Sequence, residues 1–169
     1  MQIAPLAIAM LICVGATACA ADDEPATCLN SHCGPCEAQV ERALDGDTIE
    51  LSGGQKVRYL MVDTPESTSG KKDCYGKEAA AFNADLVVGK TVHLDYDAEC
   101  KDMYKRLLAW VKVGDRQVNS LLVERGYACV LYIAPNGADV VQDYMALQSQ
   151  AKLAKKGMWA ACEEVACEK

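Results

Sequence analysis

The sequence predicts an α+β protein in which a small five-stranded β-barrel is combined with about three helices. Short apolar segments typical of strands fill residues 37–62 and recur at residues 91–96 and 106–113. Helical segments lie between and after them, at residues 75–88 and again in the last third of the chain. Five short strands with interspersed helices fit a small barrel with helices packed on it. The length of 169 residues indicates one domain.

The first strands are predicted within residues 37–62. Their apolar positions are Val40, Ala43, Ile49 and Leu51. A serine and two glycines at residues 52–54 are typical of a hairpin turn, since glycine tolerates the positive φ angles that tight turns require. A β-type run then covers residues 55–62, and a polar loop covers residues 63–74.

Residues 75–88 are rich in alanine and predict the first helix, with Gly89 just past its end. Polar and apolar residues alternate at residues 91–96, which predicts a strand. Another strand is predicted at residues 106–113. A turn at residues 114–115 ends that strand.

Two further helices are predicted near the end of the chain. Asn119 is expected to cap a short helix that ends before Gly126. The last helix is expected to start near Asp139 and to stop at Gly157. Its apolar residues repeat at steps of four and three, which places them on one face. They are Val140, Tyr144, Leu147, Ala151, Ala154 and Met158.

Charged residues concentrate in short motifs within or beside the predicted strands, where charge is rarely buried without a partner or a metal. The motifs are Asp45-Gly46-Asp47-Thr48, Arg58, Asp63-Thr64-Pro65-Glu66 and Asp102-Met103-Tyr104-Lys105-Arg106-Leu107-Leu108-Ala109. Carboxylate oxygens suit Ca²⁺ or Mg²⁺, and guanidinium groups match phosphate oxygens in bidentate pairs. The motifs therefore indicate a metal site that holds a phosphate.

This set of motifs, in this order and spacing, closely resembles the thermonuclease (staphylococcal nuclease-like) family. The resemblance runs from about residue 37 to residue 159 and includes residues 74–79 and 157–159. It implies an OB-fold barrel. It also implies that Asp47, Asp63 and the backbone carbonyl of Thr64 bind Ca²⁺. Taken singly, the two aspartates could equally be turn residues.

The resemblance also implies the catalytic residues. Glu66 would activate or orient the attacking water, while Arg58 and Arg106 would offset the charge that develops on the phosphate. Alternatively, Glu66 is a solvated loop carboxylate. The arginines could likewise form structural salt bridges to Asp102 or Glu50.

Tyr104 and Tyr132 match positions that contact the nucleotide in the family, although both could be ordinary core tyrosines. This chain departs from the family pattern at three positions near these tyrosines in sequence. Ala134 stands where a second tyrosine is usual, Met103 replaces a common lysine, and Lys105 replaces the usual glycine. We expect the contacts that bind the ligand to differ more from those of the family than the catalytic centre does.

The function that this resemblance implies is a Ca²⁺-dependent nuclease that hydrolyses phosphodiester bonds of DNA and RNA and leaves 3′-phosphate ends. The alternative is an OB-fold module that binds nucleic acid without hydrolysis. We expect a monomer with no protein partner. His32 and His93 are the only histidines in the sequence, which excludes nuclease mechanisms that need several of them.

The net charge of −7 is unusual for a protein that acts on nucleic acid. Much of this charge lies in the terminal segments, and residues 37–159 sum to −2. Several of the remaining acids are candidate site residues, whose charge a divalent ion would offset. Weak non-specific affinity for DNA is expected.

The N-terminal region predicts export. Residues 1–20 are almost wholly apolar and end in Ala18-Cys19-Ala20, which fits a signal-peptidase site. Two alternatives are an uncleaved anchor helix and a lipoprotein signal, in which Cys19 would be lipidated and attach the protein to a membrane. The expected location is extracellular, periplasmic or the outer surface. Residues 21–36 form an acidic, cysteine-rich leader, and residues 37–169 form the nuclease-like domain with a cysteine-containing tail.

Eight of the ten cysteines lie after the predicted signal segment, and an even number in an oxidising compartment predicts disulfides. The spacing of Cys28, His32, Cys33 and Cys36 leaves zinc as an alternative. If the segments around them border one site, Cys74 would pair with Cys100. Cys129 would similarly pair with Cys162. The remaining cysteines would then join the leader to the tail, and they are Cys28, Cys33, Cys36 and Cys167.

Overall fold

The computed structural model describes residues 27–68, 70 and 72–168. The predicted signal segment and the proposed lipidation site at Cys19 lie outside these residues. Within the described part of the chain, no helix combines the length and the apolar character needed to cross a bilayer.

Eight strands occur in the described residues, and five of them form a closed barrel. The eight are β1 (Glu37–Ala43), β2 (Thr48–Leu51), β3 (Lys56–Tyr59), β4 (Met61–Asp63), β5 (Thr91–Lys101), β6 (Leu107–Val113), β7 (Arg116–Gln117) and β8 (Cys129–Leu131). The larger sheet has the order β3-β2-β1-β5-β6-β7, and a parallel pairing of β3 with β6 closes five of these strands into a barrel. Strands β4 and β8 pair separately. The predicted five-stranded α+β barrel is confirmed.

Three helices of seven residues or more pack on the barrel, as predicted. They are α1 (Gly76–Val87), α2 (Val118–Glu124) and α3 (Val141–Leu153), followed by the short α4 (Met158–Ala161). Single 3₁₀ turns occur at Ser31–Cys33 and Ala166–Glu168.

Asn119 does not cap α2 as expected, because it lies inside the first turn and is completely buried. Its side-chain oxygen accepts the Val111 N–H at 2.8 Å, and its amide donates to the carbonyls of Leu60 and Ala109. The side chain thus fixes α2 to the barrel wall. The last helix also begins slightly later than expected, at Val141.

The barrel interior is filled by aliphatic side chains that alternate along the strands, as the period of a pleated strand requires. Fully burying one such side chain stabilises the fold by about 1.5–3 kcal/mol. The principal contributors are Val40, Ile49, Leu51, Val57, Val92, Leu94, Leu107, Ala109 and Val111.

Strand β5 is five residues longer than predicted and runs to Lys101. The extension is polar and lies mostly at the surface. The apolar alternation that predicted a strand at residues 91–96 therefore does not continue through it. A register shift between Tyr96 and Lys101 interrupts its pairing with β6. This extension carries Cys100 towards the N-terminal segment.

Four disulfides form among the eight described cysteines, but the predicted pairing is wrong. The pairs are Cys28–Cys36, Cys33–Cys100, Cys74–Cys162 and Cys129–Cys167, with Cα–Cα distances of 5.1–5.9 Å. The predicted bridges Cys74–Cys100 and Cys129–Cys162 do not form. Because β5 is long, Cys100 reaches the leader, and Cys74 meets the tail instead. No disulfide joins the leader directly to the tail within the described residues.

The described part of the leader packs on the barrel. The Leu29 N–H donates to Asp95 at 3.1 Å, and the Tyr96 hydroxyl donates to the Pro35 carbonyl at 2.7 Å. The alternative of a zinc site is excluded here, because all of its cysteines are in disulfides. His32 lies 3.7 Å from the Cys33 sulfur, but that sulfur is bonded and offers no thiolate.

Candidate active site

The turn between β1 and β2 meets the end of β4 at a buried carboxylate. One Asp47 oxygen accepts both the Thr64 N–H at 2.8 Å and the Thr64 hydroxyl at 2.9 Å. Gly46 allows this approach, because a Cβ atom there would come within 2.7–2.8 Å of the Thr64 side chain. The first two acidic motifs therefore meet in the fold.

Arg58 projects from β3 into this meeting point and is only 12% exposed. Its Nε lies 3.2 Å from Asp47, and one terminal nitrogen donates to Asp63 at 3.1 Å. The other terminal nitrogen donates to the carbonyls of Val62 at 2.6 Å and Tyr59 at 3.1 Å. Because one guanidinium contacts both predicted metal ligands, Arg58 fixes their relative position.

The carboxylates around Arg58 repel one another. Burial raises the pKa of Asp45 to about 6, and the neighbouring charge of Asp47 adds to the increase. Burial also raises the pKa of Asp63. The charge of Asp47 raises this pKa further, whereas the charge of Arg58 lowers it. The side-chain oxygens of Asp47 and Asp63 and the carbonyl of Thr64 are hard donors. An excess of negative charge on hard oxygen donors fits a divalent cation.

Glu66 lies in the loop after β4 and is half-buried. Its N–H donates to Asp73 at 3.1 Å, and its own carboxylate accepts the Thr68 hydroxyl at 3.0 Å. The Asp73 N–H donates back to the Glu66 carbonyl at 3.0 Å. Gly76, the first residue of α1, lies directly against that carbonyl and has no room for a side chain. The start of α1 therefore supports the loop that holds Glu66.

Arg106 follows a tight turn organised by Asp102. This carboxylate accepts the N–H groups of Tyr104 and Arg106, each at 2.9 Å, and the Arg106 Nε at 2.7 Å. Lys105, which replaces the family's glycine, adopts a left-handed φ of 64°. The Arg106 guanidinium carbon lies 5.4 Å from the centre of the Tyr104 ring. The salt bridge to Asp102 is thus present, whereas Glu50 pairs with Arg42 instead.

Both arginines line one cavity of about 390 Å³. The parallel pairing of β3 with β6 brings them together, since Val57 lies opposite Leu107. Arg58 therefore contacts the carboxylates and also faces the cavity. Tyr104 lines the cavity as well, and it is 72% exposed.

Tyr132 is not among the residues that line this cavity. Its neighbours Leu131 and Ile133 line it, as the alternation of side chains along an extended segment explains. The sequence reasoning missed these two residues. The alternation of side chains around Tyr132 is the sequence signal that indicates them. A nucleotide-contacting role for Tyr132 has no geometric support from this cavity.

The fold and the site together define an OB-type barrel with a carboxylate–arginine centre on its wall. A family model described as Staphylococcal nuclease homologue matches residues 56–161, and the chain therefore belongs to the staphylococcal nuclease family. The chain is 36% identical over 127 residues to Endonuclease YncB of Bacillus subtilis, covering 71% of this chain and 60% of the relative.

Two relatives named Thermonuclease are also similar to this chain. The protein of Staphylococcus hyicus is 36% identical over 126 residues, covering 72% of this chain and 74% of the relative. The protein of Staphylococcus intermedius is 40% identical over 102 residues, covering 57% and 61%. Of the first three curated relatives, the chain spans 60% of the length of two and 44% of the length of the third.

Proposed function

We propose that this protein is a metal-dependent nuclease that hydrolyses phosphodiester bonds in nucleic acid. The observation that carries the proposal is the double contact of Arg58. Its guanidinium binds the carboxylates of Asp47 and Asp63, and it lines the cavity that Arg106 also faces. Endonuclease and thermonuclease names among the relatives support the same reaction class.

We propose Ca²⁺ as the ion, held by Asp47, Asp63 and the carbonyl of Thr64. All three donors are oxygens, which hard cations prefer over nitrogen and sulfur. When bound, the ion would supply positive charge at a phosphate oxygen and lower the energy of the transition state.

The protein residues account for the remaining chemistry. Arg58 and Arg106 bind the phosphate oxygens through their guanidinium groups and offset the charge that develops during attack. Glu66 accepts a hydrogen bond from the attacking water and orients it towards phosphorus. A positioned base of this kind contributes about 10²–10⁴ in rate. The hydrogen bonds between Asp73 and the Glu66 backbone hold the loop that carries this side chain.

The same proposal extends to the substrates, the products and the location of the protein. DNA and RNA are both substrates, and the products carry 3′-phosphates, as the family resemblance implies. Export, with release or with attachment through Cys19, is supported by the four disulfides, because such bonds persist in oxidising compartments.

The test compares the parent protein with Glu66→Gln, purified in the same way so that contaminating nucleases are controlled. Each is incubated with plasmid DNA or RNA, in Ca²⁺ or in a chelator. The parent should degrade both polymers only with Ca²⁺, and Glu66→Gln should be slower by about 10²–10⁴. Binding without any cleavage by the parent would instead favour the non-catalytic module. Full activity in chelator would overturn the metal assignment.

A further inference from the structure

A second cleft, with a volume of about 470 Å³, lies between α1 and α2 and differs in charge from the rest of this acidic protein. Its charged lining residues are Arg116, Arg125 and Lys156, with no carboxylate among them. A third depression is lined by three aspartates and one lysine. The concentration of cations in one cleft is therefore not a general property of this surface.

The fold brings two of these cations together by a close contact of backbones. Gly126, after α2, lies directly against the Lys156 carbonyl, and Gly157 lies against the Gly126 carbonyl. The Met158 N–H donates to that same Gly126 carbonyl at 2.9 Å. Both glycines have positive φ angles, so this contact requires glycine. Arg125 and Lys156 consequently share one cleft although they are distant in sequence.

These cations are poorly neutralised by the protein itself. Arg125 and Lys156 share one carboxylate, Glu124, at 3.8 Å and 3.9 Å. The side chains of Arg125, Lys156 and Glu124 are each at least 39% exposed, so these two ion pairs are weak. Arg116 is exposed and forms no ion pair with any described residue. The cleft therefore retains positive charge for an external anion.

Aromatic side chains form the apolar wall of the same cleft. The rings of Phe82 and Tyr127 stack with centroids 4.1 Å apart, and Tyr75 lies 5.4 Å from Tyr127. All three are half-buried, so part of each ring remains accessible. A cationic groove with aromatic surfaces is the combination that binds single strands, through phosphates and stacked bases.

The cleft is connected to the active-site loop. Tyr75 lines it, and the next residue, Gly76, lies against the Glu66 carbonyl. The cleft and the Glu66 loop thus meet at the start of α1. We propose that this basic cleft is a second binding site for the single-stranded nucleic acid substrate, outside the catalytic cavity. The proposal rests on the proposed nuclease function.

The first experiment measures binding without cleavage. Fluorescence anisotropy is recorded in chelator with a labelled single-stranded DNA of about 16 nucleotides, the upper end of the usual site size of an OB fold. The parent is compared with the triple variant Arg116→Gln, Arg125→Gln, Lys156→Gln over a series of salt concentrations. The triple variant should bind about 10- to 100-fold more weakly, and its salt slope should be shallower by about 2. An unchanged affinity and slope would overturn the proposal.

A matched control removes one exposed cation at a time. Lys56, at the start of β3, is exposed and does not line the cleft. Arg116→Gln should reduce the salt slope by about 0.7, whereas Lys56→Gln should leave it unchanged. The comparison of these two single variants keeps the proposal testable if the triple variant fails to fold. Equal effects from both single variants would contradict a localised site.

Two further measurements distinguish failure of the proposed second binding site from failure of the proposed nuclease function. The triple variant should retain the parent's kcat/KM on a dinucleotide but show a raised KM on the long strand. A parent that cleaves neither substrate defeats the proposed function, while the binding comparison still decides whether the cleft binds nucleic acid. Competition by poly-glutamate as strong as that by DNA would instead identify an acidic polypeptide as the occupant.

Discussion

The two arginines of the active site face one cavity but are held in different ways. Arg58 emerges from the barrel wall, is 12% exposed and contacts two carboxylates and two carbonyls. Arg106 follows a surface turn, is 27% exposed and pairs with Asp102 alone among the acids that the structure describes. Arg58 therefore has extensive structural contacts in addition to its proposed catalytic role, whereas the proposed role of Arg106 can be tested with little effect on the fold.

The largest expected effect is on turnover. Arg106→Ala should reduce kcat by about 10³–10⁵, the range for arginines that stabilise charge in phosphoryl transfer. The circular dichroism spectrum should remain that of the parent, since the turn keeps the backbone hydrogen bonds of Asp102. Single-turnover cleavage of a labelled strand checks the rate. A folded variant with near-normal kcat would remove Arg106 from the mechanism.

A disulfide to a distant segment lies just before the turn of Arg106. Cys100 lies two residues before Asp102 and is bonded to Cys33, with a sequence separation of 67. Replacing this pair by serine should lower the free energy of unfolding by about 4 kcal/mol in the chain-entropy model.

The bridge Cys28–Cys36 is the control, because it closes only 8 residues and should contribute about 2.5 kcal/mol. Urea unfolding of both double-serine variants measures the difference, and peptide mapping confirms the remaining bridges. A larger loss from the shorter loop would show that restriction of the unfolded chain does not govern these bonds.

A third test concerns the structural role of Arg58. In chelator, Arg58→Met should lower the free energy of unfolding by about 3 kcal/mol, because the buried Asp47 loses its cation. Arg106→Met should lower it by about 1 kcal/mol or less, as expected for a more exposed pair. Adding Asp47→Asn to Arg58→Met should recover part of the loss. Equal destabilisation by the two methionine variants would contradict the contrast drawn between the arginines.

The smallest expected effect concerns Lys105, whose left-handed φ of 64° is unfavourable for a residue with a Cβ atom. Lys105→Gly should stabilise the protein by about 1 kcal/mol, less the entropy that glycine adds to the unfolded chain. Thermal melting measures the shift, with Lys105→Ala as a control that removes the charge but retains the Cβ atom. Stabilisation by alanine as large as that by glycine would mean that charge, rather than the backbone angle, is responsible.

The sequence by itself determined the five-stranded barrel and the helices that pack on it. Alternating apolar residues specify the strands, because any other register would expose the core. The pattern also indicated that Arg58 needs a partner, since a cation in an apolar strand cannot remain unpaired. It did not identify the partner, and the structure assigns Asp47 and Asp63 instead of Glu50.

Only the tertiary structure decided the disulfides, the cavity wall and the second cleft. Cys100 pairs with Cys33 because polar residues extend β5 beyond the point where periodicity could be detected. The cavity takes Leu131 and Ile133 instead of Tyr132 because the direction of a side chain depends on register. Arg125 and Lys156 lie far apart in sequence, and two glycines bring these cleft cations together. Such contacts depend on how distant segments pack, which local residue patterns do not specify.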